Sequence, residues 1–289
     1  MASYMYYILP AVGGYTLTSL YLLKNPHILH KKKETSFRCR HISHRGGCGE
    51  RIENTMEAFT HATQQGTEML ELDCHLTRDG QVIVSHDENL LRQTGQDITV
   101  STVNFNELPL YKESLEVTFN TGRNHDVTDV RCVPKVSALV KQYHREDITV
   151  WASSSNHIMS KCRAKNPCMP YMFSMKRGIQ LLLLFYSGLL PFVPLGESFL
   201  QFYLPCIFNR TYIPDMPILR NQMVVYLIEK LTIRKSLFDH LVKRGIQIHL
   251  FVCNEEQDIE TVFTVGATGV MTDYPTLLRN YFIKQGQET

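Results

Sequence analysis

Neither sign of charge dominates this 289-residue chain, in which 30 Lys and Arg stand against 28 Asp and Glu for a net of +2. That near balance excludes a nucleic-acid binder working through a broadly basic surface, and leaves Lys31, Lys32 and Lys33 as a local basic run. The eight cysteines include no closely spaced pair of the kind that builds a zinc site or a redox motif. They read as free thiols of a reducing compartment rather than as a disulfide framework. The one sequon, Asn209-Arg210-Thr211, is too common a triplet to argue for a secretory lumen.

Charge is also missing from the N-terminus, where Met1 to Leu23 carries no ionised side chain. A helix of this length, at ~1.5 Å per residue, can cross a bilayer, so residues 1–24 read as a single transmembrane anchor, with a buried core helix as the alternative. A cleaved signal peptide is excluded by the lack of a positive start and of small residues before a cut. The charge of Lys24 and Lys31 to Lys33 then places the main domain, residues 40–289 beyond a basic linker at 25–39, on the cytosolic side.

What is present beyond the linker is an alternation of short apolar strands and helical stretches. This pattern predicts an α/β fold with a TIM-type (β/α)8 barrel, for which roughly 250 residues suffice. Strands are expected at His41 to Gly47 with its exit loop, Met69 to His75, Ile148 to Ala152, Tyr171 to Ser174, Thr211 to Ile213, Gln247 to Cys253 and Gly269 to Thr272. Helices are expected at Glu53 to Gln65, with Gly66 as a left-handed cap, at Lys230 to Arg244 and at Asp258 to Val265. Arg78-Asp79-Gly80 turns the chain into a returning strand, Gln81 to Ser85. These strands make the barrel one short of eight. The gap falls between Phe119 and Val140, which offers a polar stretch and a helix-like Val136 to Tyr143. A second apolar stretch, Ile179 to Leu195, broken by Pro191 and Pro194, reads as a membrane-dipping helix or as a buried barrel helix.

The candidate chemistry clusters early. His44-Arg45-Gly46-Gly47 at a strand end joins a base titrating near neutrality, a fixed cation that can grip a phosphate, and two residues that let an anion approach the backbone. Glu53-Asn54-Thr55 follows within one loop. Glu71 and Asp73, two apart on a strand, point to the same face, and two such carboxylates on an inward face call for a hard divalent cation, Mg²⁺ or Ca²⁺. His86, ending the returning strand, can face His44, so that one imidazole takes a proton while the other gives one.

The stretches HISHRGGCGERIENTMEAF, MLELDCHLTRDGQVIVSHDENL and GATGVMTDYPTLLR together resemble the glycerophosphodiester phosphodiesterase family, and closely its membrane-bound lysophospholipase D members. The resemblance implies a TIM-type barrel with a small insertion at about 73–109. It implies His44 and His86 as general acid and base, Arg45 with Asn54 on the substrate phosphate, and Glu71 and Asp73, with His86 as a further ligand, on the metal. It also implies a lysophosphatidylcholine or glycerophospho-N-acylethanolamine substrate and endoplasmic reticulum or perinuclear membranes. One departure stands out. A family strand bearing an acidic metal ligand is absent between Phe119 and Val140, where Asp126 and Asp129 are the nearby acids. A catalytically impaired relative that binds lipid without turnover is therefore a second reading.

Overall fold

The computed structural model describes residues 2–112, 114–116, 124–126, 140–214 and 216–286. Its strands, in chain order, are β1 (His41–Ser43), β2 (Met69–Leu70), β3 (Cys74–Leu76), β4 (Val82–Val84), β5 (Ser114–Glu116), β6 (Asn124–Asp126), β7 (Phe199–Tyr203), β8 (Gln247–Phe251) and β9 (Gly269–Thr272). Five of them form a parallel sheet in the order β2, β1, β9, β8, β7. Parallel bridges from Phe199 to Met172 and from Trp151 to Tyr171 continue it. Seven chain segments thus run side by side, and among the described residues no pairing joins β2 to the Trp151 segment.

The helices are α1 (Ala2–Lys24), α2 (Met56–Gln64), α3 (Leu91–Thr94), α4 (Asn156–Lys165), α5 (Met175–Tyr186), α6 (Gln222–Thr232), α7 (Lys235–Lys243), α8 (Glu256–Thr264) and α9 (Pro275–Lys284). β8 and β9 are buried almost throughout, because a parallel strand is covered on both faces. On their outer side Ile248, Leu250 and Val270 pack with Leu237, Phe238 and Leu241 of α7, Ile259 and Val262 of α8, and Leu278 and Phe282 of α9. Burial of each such side chain stabilises the fold by roughly 1.5–3 kcal/mol. Thr55 caps α2 by accepting from the Ala58 N–H, and Gly66 follows in the left-handed region as the sequence indicates.

Between β2 and the next barrel segments lies a small unit of its own. The antiparallel hairpin β3–β4 pairs Cys74 with Val84 and Leu76 with Val82. It closes over α3 with a separate core of Ile83, Leu90 and Val100.

The expected transmembrane anchor is not found. Residues 2–24 do form one helix, but no helix among the described residues is long and apolar enough to cross a membrane, so the single-span membrane localisation falls with it. Pro10, Gly13, Gly14 and the hydroxylic side chains of Thr16, Thr18 and Ser19 dilute the apolar run. The C-terminal half of α1 is docked instead. Tyr15 donates to the Ser187 carbonyl at 2.6 Å, Ser19 donates to the Gly188 carbonyl at 2.6 Å, and His240 holds the Leu23 carbonyl at 2.8 Å.

Other expectations are also revised. The strand expected at Thr211 to Ile213 is only an isolated bridge from Tyr212 to Phe208, and β7 takes its place in the sheet. The helix expected over Lys230 to Arg244 is two helices, parted at Ile233 and Arg234, whose backbones are non-helical. Ile179 to Leu195 resolves into most of α5 and a short turn, with Leu181 and Leu190 buried and Ile179, Leu183 and Tyr186 exposed. The stretch from 119 to 140 lies largely outside the described residues, and of it β6 pairs antiparallel with β5, apart from the barrel sheet.

Candidate active site

Register explains why His44 has the neighbours it has. Ser43 of β1 pairs with Thr272 of β9 on one side and with Leu70 of β2 on the other. One residue further along each strand, at the C-terminal end of the sheet where barrel enzymes carry their chemistry, come Asp273, His44 and Glu71. The Asp273 carboxylate lies 2.6 Å from His44 Nδ1, and its other oxygen accepts from Asn254 Nδ2 at 2.6 Å. Cys48 donates its thiol proton to the same oxygen that takes His44, at 2.8 Å.

These contacts set protonation. Burial works against a charged His44, but the charge and hydrogen bond of Asp273, with Glu71 adding, outweigh it and hold the imidazole above its ordinary value. Burial by itself would raise Asp273, yet His44 and the donors Cys48 and Asn254 keep it below the usual carboxylate range. Burial, then the Asp273 charge, pushes the Cys48 thiol well up, so it serves as a neutral donor.

Arg45 follows in the left-handed region, with φ of 51°, as does Asn54 at 60°. Gly46 is required there, since a Cβ would lie 2.8 Å from the Phe59 ring and 2.9 Å from Ala58. The turn aims the Arg45 N–H at Glu71 Oε2, 2.9 Å away, and the guanidinium at Glu53 Oε2, 3.3 Å from Nη1. Arg45 Nε stands 3.4 Å from Asp73 Oδ2, but its own hydrogen bond is unmade in a buried position, as suits a group that receives an anionic ligand. Asn54 faces Asp73 as well, its Nδ2 being 3.4 Å from Oδ2.

Glu71 and Asp73 are therefore both at the site, although not on the single strand expected over Met69 to His75, since β2 ends at Leu70 and β3 begins at Cys74. Burial, with the like charge of Asp73, pushes the Glu71 carboxyl up against the opposite pull of His44 and Arg45. Glu71 Oε1 and Asp73 Oδ1 accept no hydrogen bond among the described residues. Two hard oxygens free beside a strained like-charge pair fit a divalent cation. The single group of three ligand atoms lying within 4.8 Å of one another among the described residues is a different one, His44, Cys48 and Asp273. Its members already satisfy each other by hydrogen bonds, and Glu71, Asp73 and His86 form no such group.

His86 ends the insertion hairpin. Its Nδ1 donates to Asp87 at 2.7 Å, and its side chain is 42% exposed, against 17% for His44. The Ser85 N–H donates to the Asp73 carbonyl at 3.1 Å, which ties the His86 loop to the acidic segment between β2 and β3. Sequence reading missed Asp273, Cys48, Asn254 and Arg92 as members of the site, and placed Glu53 near it without a partner. For Asp273 a signal existed, an acidic residue directly after the last barrel strand.

A parallel barrel sheet with imidazoles, a buried arginine and two carboxylates beside its strand ends defines an α/β-barrel enzyme. The sequence profile of the glycerophosphoryl diester phosphodiesterase family matches residues 44–167. The chain is 44% identical to the human lysophospholipase D GDPD3, covering 99% of this chain and 98% of that one. It is 45% identical to the human lysophospholipase D GDPD1, over 96% of each. The crystal structure of glycerophosphodiester phosphodiesterase from Agrobacterium tumefaciens has the same fold, with a TM-score of 0.56 at 18% identity over 84% of this chain and 98% of that one. The chain belongs to the glycerophosphodiester phosphodiesterase family and is an enzyme of that kind. Its alignment with the human GDPD3 protein runs over 312 positions although the chain has 289 residues, so more than twenty positions of the relative have no counterpart here.

Proposed function

We propose that the chain hydrolyses lysophospholipids or glycerophosphodiesters in the manner of a lysophospholipase D. Products would be lysophosphatidic acid or a glycerol phosphate, and the free head group. The observation that carries this reading is His44 flanked by Asp273 and Glu71 at adjacent strand ends, in a chain 44% identical over 99% of its length to a lysophospholipase D. Arg45, with Asn54 beside it, binds the phosphate and offsets its developing charge. His44, oriented by Asp273, and His86, oriented by Asp87, move the protons, one to the leaving oxygen and one from the attacking water. Glu71 and Asp73 would hold a divalent cation, Mg²⁺ or Ca²⁺, which when bound polarises the phosphate oxygens. His86 is kept for proton transfer in this reading. Contact of a lipid surface with the exposed Ile179, Leu183 and Tyr186 of α5 belongs to the same proposal.

Release of choline from lysophosphatidylcholine by the purified chain with Mg²⁺, lost in His44→Ala and in Glu71→Ala, is the expected result; equal background in all three sinks the reading. That second outcome supports a relative that binds lipid without turnover. The positions without a counterpart here, and a sheet of seven paired segments, favour this alternative.

A further inference from the structure

One guanidinium joins the two halves of the site. Arg92, on the short helix α3 of the insertion, donates from Nε to Asp87 Oδ2 at 2.6 Å and from Nη2 to Glu53 Oε1 at 2.5 Å. Each acid passes the contact on through its other oxygen. Asp87 Oδ1 accepts from His86 Nδ1 at 2.7 Å, and Glu53 Oε2 accepts from Arg45 Nη1 at 3.3 Å. The result is an unbroken line, His86, Asp87, Arg92, Glu53, Arg45, that crosses from the insertion to the barrel.

Every link uses a distinct atom, so the line has little freedom. A planar guanidinium offers two edges at a fixed angle, and here the edges serve acids that stand 34 positions apart in sequence. Glu53 is 8% exposed, so its charge is compensated by the two arginines rather than by water. The neighbouring Gln93 reinforces the joint, since Ser85 donates to its Oε1 at 3.0 Å and so fastens the loop bearing His86 to the same helix. His86 needs this support, because its ring is 42% exposed and, among the described residues, Asp87 is its one side-chain hydrogen-bond partner.

We propose that Arg92 is a positioning residue that locks His86 and Arg45 into one constellation, and so fixes the spacing between proton transfer and phosphate binding. It touches no reacting atom. Its effect on turnover rests on the hydrolytic reading above, whereas its effect on the His86 ring does not.

Two measurements test it. Arg92→Ala lowers kcat by about 10-fold to 100-fold, the range for a misplaced catalytic group, with KM moving less. Arg92→Lys, which keeps the charge but reaches only one of the two acids, gives a smaller loss. Asp87→Ala costs about as much as Arg92→Ala, and the double variant no more than the worse single one, because both cut the same line. Imidazole nitrogen spectra of the unaltered chain, taken where the ring is neutral, give His86 as its Nδ1–H tautomer, and Arg92→Ala releases it to the other. Losses that multiply in the double variant, or a folded Arg92→Ala or Arg92→Lys chain with unchanged kcat, overturn the proposal; so does an unchanged tautomer. If the unaltered chain turns nothing over, the hydrolytic reading fails and the tautomer alone decides the clamp.

Discussion

Asp273 holds His44 Nδ1 at 2.6 Å across 229 positions of sequence. The contact follows from the parallel register of the first and last strands, which sets the residue after Thr272 beside the residue after Ser43. Glu71 reaches the same place through the register of β2, so three strand ends converge on one imidazole. Its charge state is therefore a property of the sheet and not of the HRGG turn alone.

Replacing Asp273 by Asn keeps the shape and removes the charge. The variant is expected to lose about 10²- to 10⁴-fold in kcat, as when the orienting acid of a catalytic histidine is neutralised. The sign of the accompanying pH shift is fixed. Asp273 raises His44, so without that charge burial wins, and the limb of the kcat/KM profile due to His44 moves to lower pH. A profile that stays in place would remove either His44 or its partner from the titrating pair.

The like-charged pair Glu71 and Asp73 gives a second test, read without turnover. A cation that binds only the folded chain adds about 2.7 kcal/mol at a hundredfold excess over its dissociation constant, seen as a higher unfolding midpoint. Glu71→Gln removes one ligand charge and should abolish the rise. If neither Mg²⁺ nor Ca²⁺ moves the midpoint of the unaltered chain, the cation does not sit between these acids.

Local placement was legible in the sequence and long-range assembly was not. The HRGG turn, the closeness of Glu71 to Asp73 and the placing of His86 after a returning hairpin strand all follow from residues within a few positions of each other, although the two acids lie between β2 and β3 and not on one strand. Gly66 was readable as a cap for the same reason. Asp273, Glu53 and Arg92 take their meaning from partners that only the fold brings near. β7 was hidden differently, since Phe199–Tyr203 follows the apolar Ile179 to Leu195 with only Gly196, Glu197 and Ser198 between, and a short apolar run carries no periodicity of its own. Residues 2–24 misled because an uncharged run was read as apolar, while its hydroxyls and glycines lower the hydropathy and its tail is spent on packing.

Gly245 tests how the segment leading into β1 is seated. A Cβ there would lie 2.1 Å from the Lys33 carbonyl oxygen and 2.8 Å from its nitrogen, both backbone atoms, at a φ of +81°. Gly245→Ala is expected to cost about 2–4 kcal/mol, combining a left-handed alanine with overpacking that no rotamer relieves. Gly80 is the control, with a similar φ of +73° and nothing within 4 Å, and there alanine should cost about 1 kcal/mol. Equal midpoints in urea for the two variants would mean that Lys33 does not press on the turn after α7.

Three histidines outside the site set an acid limit on stability. His249 is buried in the sheet with both ring nitrogens unpartnered, and burial brings it down to about 4. Burial does the same to His41, and to His240 despite the Leu23 carbonyl that it holds, each to about 4. Because these folded values are depressed, the unfolded chain binds more protons between about pH 4 and 6.5, so stability is full above that window and falls as pH drops through it. At about pH 5.5 each ring destabilises the fold by roughly 1.4 kcal/mol relative to neutrality, and the three add if they are independent. His249→Phe removes one titrating group without opening a cavity, so its urea midpoint should decline less between about pH 7.5 and pH 5.5 than that of the unaltered chain. Parallel declines would mean that His249 is protonated as easily in the folded protein as in the unfolded chain, which its burial against Phe199, with ring centroids 5.4 Å apart, argues against.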